Sequence, residues 1–340
     1  MELKLICGPA PHIRDNSSVR AIMLDVIIAL MPAFIGSIII FGTRSLLITI
    51  SAILGAVLSE AIVQALRRVP ITISDCSALI TGILLAFNLP PGVPLWLPFV
   101  GSAFGIIFAK QLFGGLGYNP MNPALIGRAF LMLSWPVHMT TDWIAPEYGT
   151  LSGTNAITTA TPLTALKMAG KIISDPNSSI LQIQTAKANL EALSAGYWNY
   201  FVGTRGGCIG ETSALLLLLG GIYLIIRRVI DWRIPLVYIA TTGILGWVFG
   251  GFYGLFSGDA LFYILTGGLF LGAFFMATDM VTIPITAKGR VLFAFGCGLF
   301  TVIIRRWGGY PEGVCYSILL MNILTPLIDR WIRPRILGGK

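Results

Sequence analysis

Charge is scarce in this chain: 11% of its 340 residues are Asp, Glu, Lys or Arg, against 55% that are hydrophobic. A soluble domain carries about a quarter charged residues, so an ordinary water-soluble globule is excluded. Cysteines are few and unspaced. Cys7, Cys76, Cys208, Cys297 and Cys315 form no C-x-x-C pair, which argues against a disulfide framework and against an iron–sulfur or zinc site held by this chain alone. Their plain role is that of small apolar residues in helices, and a cluster shared with a second subunit stays open. No Gly-rich phosphate loop follows a strand-like run, so nucleotide chemistry is left to partners. The first twenty residues hold Lys4, Arg14, Asp15 and Arg20 without an apolar core, and no cleaved leader is expected. The net charge of +8 does not point to nucleic acid, because the arginines cluster at helix ends, where they set topology.

What is present in quantity is apolar helix. The mean hydropathy is +0.82, and apolar runs long enough to cross a bilayer recur along the chain. An all-α polytopic membrane protein follows, with ten helices near 21–42, 46–66, 77–89, 97–114, 121–136, 213–230, 234–256, 260–277, 290–306 and 313–331. The expected organisation is a cytoplasmic segment 1–20, a first transmembrane block 21–136, an extracytoplasmic segment 137–211, a second block 212–331 and a cytoplasmic tail 332–340. With both termini inside, Arg67, Arg68, Arg227, Arg228, Arg233 and Arg290 fall on the inner face, and Arg44, Arg305 and Arg306 on the outer. The third helix runs into Asn88-Leu-Pro-Pro-Gly-Val-Pro94, and the eighth ends in Met276-Ala-Thr-Asp-Met-Val-Thr-Ile-Pro284. Proline removes a backbone donor, and the freed backbone must face a protein-walled cavity or water. Ile80-Thr-Gly-Ile resembles Leu265-Thr-Gly-Gly, and Lys110-Gln-Leu-Phe-Gly-Gly resembles Arg305-Arg-Trp-Gly-Gly. Two five-helix repeats, five being odd, must enter the membrane from opposite sides, and such repeats place sites at their interface.

Four groups of residues carry chemistry. Thr161 precedes Pro162, which suits a first helical position, so Thr161 is an N-cap. The same hydroxyl, at a helix N-terminus that welcomes phosphate, could carry a phosphoester; esterification asks for an exposed hydroxyl. Asp25, Glu60, Lys110, Arg128 and Asp279 sit in or beside apolar helices, where ionisable groups face a partner, a cavity or an ion path. Asp25, Glu60 and above all Asp279 are the ion-path candidates, since hard cations prefer oxygen; a local pair or snorkelling to the headgroups is the other reading of each. Phe113-Gly-Gly-Leu-Gly-Tyr-Asn-Pro-Met-Asn-Pro-Ala124 is a tight junction whose Asn119 and Asn122 could bond a flavin edge, or a plain connector. Tyr197-Trp-Asn-Tyr-Phe201 reads as an interfacial belt, and Gly206-Gly-Cys-Ile-Gly-Glu-Thr-Ser213 as a turn capped by Thr212 or Ser213.

Together, Ser17-Ser18 after Ala10-Pro-His-Ile-Arg14, the 113–124 run, Ile209-Gly-Glu-Thr-Ser213 and Phe275-Met-Ala-Thr-Asp279 resemble the family of the D subunit of the Rnf complex, the ion-translocating ferredoxin:NAD⁺ oxidoreductase of bacteria. The chain is similar, more distantly, to the B subunit of the Na⁺-translocating NADH:quinone reductase, whose longer N-terminal extension it lacks. The resemblance implies ten helices in two inverted repeats on a urea-transporter-like plan. It implies residence in the inner membrane bilayer beside other complex subunits. It also implies FMN esterified to threonine by a flavin transferase, a noncovalent riboflavin, and Na⁺ or H⁺ translocation. The family's flavinylation motif, Asp-x-x-Ser/Thr-Gly-Ala-Ser/Thr, is matched by Thr158, Ala160 and Thr161, which makes Thr161 the acceptor. Asn155 and Thr159 stand where the motif has Asp and Gly, so Thr158 and Thr159 are rival hydroxyls. The expected activity is that of a subunit of an oxidoreductase, not catalytic alone. A solute channel of urea-transporter type without redox cofactor, or a docking scaffold, are the alternatives.

Overall fold

The computed structural model describes residues 18–143, 161–175, 178–194, 196–203, 206–211, 213–251, 254–310 and 312–334, and every regular element among them is helical. Helices α1 (Val19–Phe41) and α2 (Thr43–Leu66) open the chain. Ser18 caps α1 by accepting from the Ala21 N–H at 3.2 Å. Between the two helices Gly42 has φ 71, a conformation that costs glycine little, so the chain reverses in one residue. Together with α14 (Ala287–Trp307), α1 and α2 are long and apolar enough to span a bilayer. Four shorter apolar helices accompany them: α3 (Ser77–Phe87), α5 (Pro123–Ser134), α10 (Ala214–Ile226) and α11 (Arg233–Phe249). The last helix is α15 (Val314–Trp331).

Interrupted helices shape the interior. After eleven residues α3 stops at Asn88, before Pro90 and Pro91. Helix α4 (Trp96–Phe104) continues into a π-helical stretch, Gly105–Gln111, that carries Lys110. The continuous helix expected over 260–277 is instead α12 (Ala260–Leu265), α13 (Leu269–Leu271) and a π-helical turn, Gly272–Met276. Gly267 at φ 69 breaks it, and a Cβ on Gly268 would lie 2.1 Å from Glu211 Oε1. Those two glycines let a buried carboxylate approach backbone, which a helical hydropathy pattern does not report.

Between the blocks lie α6 (Pro136–Thr140), α7 (Pro162–Ser174), α8 (Ile180–Ser194) and α9 (Tyr197–Val202). The end of this polar segment folds back into the bundle. Ile209 N–H donates to Leu89 O at 3.0 Å and Gly210 N–H to Phe87 O at 2.9 Å, supplying donors to carbonyls freed at the end of α3. Residues 206–211 therefore belong to the interior, not to a solvated loop.

Helix α2 packs on α3 and α4, α11 on α12 and α14, and α1 on α10. At one end of the bundle Arg227 meets Asp25 at 3.1 Å and Arg290 meets Asp231 at 3.0 Å. The opposite end carries Arg44, Arg305, Arg306 and α7, held by Lys167 on the Gly308 carbonyl. Arg290 and Arg305 thus lie at opposite ends of α14.

The α1–α10 contact depends on absent side chains: a Cβ on Gly220 would fall 2.0 Å from Ala29 O, whereas Gly309 has nothing within 4 Å. Gly220→Ala should lower stability by about 1–3 kcal/mol, as overpacking does, and Gly309→Ala should be close to neutral. Melting of the detergent-solubilised protein, followed by size-exclusion chromatography, measures both; equal midpoints would refute the close approach.

Candidate functional site

Thr161 sits at the N-terminus of α7 as its cap. Its Oγ1 accepts from the Thr164 N–H at 3.3 Å and lies 2.8 Å from Thr164 Oγ1. The capping expectation holds, but exposure does not: Thr161 is 6% exposed. It floors a cleft walled by Gly206, Gly207, Glu211, Thr266, Gly267 and Glu312, with ≈ 420 Å³ of empty space. Asn155, Thr158, Thr159 and Ala160 lie outside the described residues.

Beneath this cleft lies a buried ionic cluster. Arg128, 4% exposed, is carried by α5, which starts where Asn122 Oδ1 accepts from the Ala124 and Leu125 N–H groups at 3.0 and 3.4 Å. Its Nη2 forms an ion pair with Glu312, and Nη1 donates to Asn88 Oδ1 at 2.8 Å. Glu211 Oε1 stands 3.6 Å from Nη1, an attraction of charges too long for a hydrogen bond. Cys208 Sγ donates to Asn88 O at 3.4 Å. The ligand-type atoms of Cys208, Glu211 and Glu312 lie within 4.8 Å of one another, but the guanidinium already supplies a cation among them. Nearby, Arg305 is bound by carbonyls, donating to Tyr263 O at 2.6 Å, Thr266 O at 3.0 Å and Glu312 O at 3.0 Å.

At the Asp25–Arg227 end a second cleft, with ≈ 820 Å³ of empty space, gathers Asn119, Asn122, Asp279, Lys110, Ser77 and Thr278. Asp279 accepts from the Val281 N–H at 3.3 Å and from Thr282 Oγ1 at 3.5 Å, and lines the same cleft as Asn119. The Oδ1 atom of Asn119 is buried without a protein partner. Behind this wall Lys110 Nζ donates to Glu60 Oε1 and to Ser77 Oγ, both at 2.7 Å. Glu60 Oε1 also accepts from Gln111 at 2.8 Å and Gln64 at 3.2 Å, while its buried Oε2 has no partner. Asp25 is elsewhere, accepting from Tyr223 Oη at 2.9 Å beside Arg227.

The two clefts are joined by side chains. Asn88, bonded to Arg128, donates through Nδ2 to Met276 Sδ at 3.5 Å, and Asn122 Nδ2 donates to Met276 O at 3.3 Å. Glu312, Arg128, Asn88, Met276 and Asn122 thus form one line from the Thr161 cleft to the Asp279 cleft. Asn119 and Asn122, from one junction, are brought together with Asp279, remote in sequence. Glu312, Cys208, Asn88 and the inward role of Arg305 are not evident in the sequence; a carboxylate between proline and glycine in Pro311-Glu-Gly313 is the signal that marks Glu312.

Removing one partner of a buried ion pair strands the other charge, at about 3–5 kcal/mol. Arg128→Met should therefore destabilise strongly, and Arg128→Met combined with Glu312→Gln should recover part of the loss. A double-mutant cycle on melting midpoints measures this; additive effects would show the two groups to be uncoupled.

Comparison with known proteins gives a consistent answer. The chain is 50% identical over 325 residues to the D subunit of the proton-translocating ferredoxin:NAD(+) oxidoreductase complex of Clostridium ljungdahlii, covering 96% of this chain and 93% of the relative. It is 47% identical over 339 residues to the D subunit of the Na(+)-translocating ferredoxin:NAD(+) oxidoreductase complex of Acetobacterium woodii, covering 99% and 96%. Identity to the D subunit of the ion-translocating oxidoreductase complex of Stutzerimonas stutzeri is 40%, covering 95% and 93%. A family model described as NQR2, RnfD, RnfE matches residues 6–338, and on that match, with these relatives, the chain belongs to the NQR2, RnfD, RnfE family.

Proposed function

We propose that this chain is the membrane flavoprotein subunit of a redox-driven Na⁺ or H⁺ pump of the ferredoxin:NAD⁺ oxidoreductase type. It would carry FMN on Thr161 and work beside other membrane and peripheral subunits of an Rnf-type complex. The observation that carries the reading is the line of bonded groups between two clefts, one floored by a threonine hydroxyl at a helix N-terminus and the other walled by Asn119, Asn122 and Asp279. Ten helices in two inverted five-helix repeats on a urea-transporter-like plan fit the matching packing of α2 with α3 and α4 and of α11 with α12 and α14. The match of Lys110 with Arg305 fits it too, since each buried cation reaches across to an interrupted helix. Termini inside and α7 outside agree with the sorting of arginines.

The residues present suit a flavin phosphate at Thr161. The hydroxyl heads a helix whose N–H groups and dipole favour anions, and Gly206, Gly207 and Gly267 leave space beside it. A bound flavin supplies one- and two-electron transfer. Because Thr161 is buried and bonded to Thr164, a flavin transferase would reach it only with the start of α7 lifted from the cleft. In the other cleft the orphaned Asn119 Oδ1 suits the ring edge of a noncovalent riboflavin. Asp279 and Glu60 offer carboxylate oxygens, a donor type that takes either a proton or a hard cation. One relative's name specifies protons and the other's Na⁺, at nearly equal identity.

Expressed with a flavin transferase and run on a denaturing gel, the wild type should fluoresce and Thr161→Ala should not. Fluorescence surviving in the variant would move attachment to Thr158 or Thr159. No signal in either, with the transferase active on a control substrate, would favour the cofactor-free channel. Asn119→Ala should retain covalent FMN but lose flavin released by denaturant extraction; undiminished release would place riboflavin elsewhere.

A further inference from the structure

Helix α15 carries an amide whose hydrogen-bonding groups are unmet. Asn322 is 2% exposed, and neither its Oδ1 nor its Nδ2 has a hydrogen-bond partner among the described residues. An amide stripped of water without replacement bonds bears its full desolvation cost, and buried polar groups in that state are few. The backbone adds a second unmet acceptor at the same residue. Pro326 stands four residues on, inside the helix, and having no N–H it cannot donate to the Asn322 carbonyl. Two oxygens of one residue are thus left open within an apolar helix.

The face that carries Asn322 looks onto the interrupted stretch between α13 and α14. Four residues before it, Ile318 Cδ1 lies 3.4 Å from the place of a Cβ on Gly272. Three residues after it, Thr325 Oγ1 shares its hydrogen between Thr282 O at 3.0 Å and Met321 O at 3.1 Å. Residues three and four apart share a helix face, so these two contacts bracket Asn322. Thr325 and Thr282 are themselves buried, and Thr282 Oγ1 donates to Asp279 Oδ2 at 3.5 Å. A lane of oxygens therefore runs from the Asp279 cleft into the bundle, through Thr282 and Thr325 to Asn322.

The chemistry of this set selects its ligand. Beyond Asp279 every acceptor in the lane is a neutral amide, carbonyl or hydroxyl oxygen, none of which holds a proton near neutral pH. Oxygen ligands favour hard cations, and freed carbonyls of broken membrane helices coordinate ions in transporters. Uncharged carbonyl oxygens are also the groups that replace the water shell of a monovalent ion in channels. With its hydrogen turned to Thr282 and Met321, Thr325 Oγ1 keeps lone pairs available, and Asn322 Nδ2 can donate to a water carried in with the ion. We propose that Asn322 Oδ1 and O, with Thr325 Oγ1, form a binding site for a hard monovalent cation at the Pro326 step of α15, reached from the Asp279 cleft. The site stands whether or not the chain carries flavin, so its failure would leave the redox reading untouched.

The test is thermal melting of the detergent-purified full chain, expressed without flavin transferase, in sodium, potassium or choline chloride at equal ionic strength. The wild-type midpoint should rise with Na⁺ or K⁺ and not with choline, since a ligand that binds only the folded state stabilises it by mass action. The two metal arms tell which ion the site takes. Asn322→Leu should melt no lower than the wild type in choline, because it removes polar atoms that have no partner. Its apparent cation affinity should fall about tenfold or more, the scale of losing a supporting group at a metal site. Thr325→Val should weaken binding in the same direction. An absent or equal rise in all three salts would overturn the proposal. So would a cation effect that survives in Asn322→Leu, which would move the ion to Asp279. A midpoint lowered in Asn322→Leu by the same amount in every salt would make the amide structural and overturn it too.

Discussion

The interior depends on keeping a guanidinium charged away from water. Arg128 is buried within a bundle of apolar helices, and an ion placed there without partners costs several kcal/mol. Its partners come from distant stretches of chain: Asn88 after α3, Glu211 from the returning loop and Glu312 before α15. Satisfying one cation thus fixes the relative placement of both helical blocks. Lys110 repeats the logic with Glu60 and Ser77, and Arg305 with the carbonyls of Tyr263, Thr266 and Glu312. Each reaches the break or end of a neighbouring helix, Asn88 after α3, Ser77 at its start and Thr266 after α12, where backbone and polar groups are available.

The helix interruptions and the candidate site therefore coincide. Helix α3 stops early and the Gly272–Met276 turn widens into π geometry; π-turns are frequent at functional sites. Asn88 at one break and Met276 at the other touch each other and the cap of α5. Glycine permits the approach. Without side chains at Gly210 and Gly268, Phe87 and Glu211 reach positions that a Cβ would occupy.

Much of this was legible in the sequence, and the reasons for the remainder are physical. Apolar run length located the long helices, and proline located the end of α3. Thr161-Pro162 announced its cap, since side-chain oxygen followed by proline suits that position. The break at Thr266–Gly268 was not visible, because apolar residues continue on both sides and hydropathy is blind to a glycine's φ. The burial of Thr161 was hidden because it arises from residues 206–211 and 312, remote in sequence. Arg128 was marked as a costly charge, but its acids were not: Glu211 and Glu312 lie in loops, where a carboxylate ordinarily faces water. The Asn119–Asn122 pair and Asp279 were singled out separately, and only folding makes them neighbours.

The loop ending at Gly210 has a consequence for the order of synthesis. When a ribosome has released only the first block, Phe87 O and Leu89 O lack the donors that residues 209 and 210 will bring. Arg128 has at that stage neither Glu211 nor Glu312. A chain emerging from its N-terminus must hold this unneutralised cation in the membrane until nearly two hundred further residues have followed. The second block therefore supplies contacts that the first lacks alone. A chain ending anywhere before residue 312 lacks the carboxylate that pairs with Arg128.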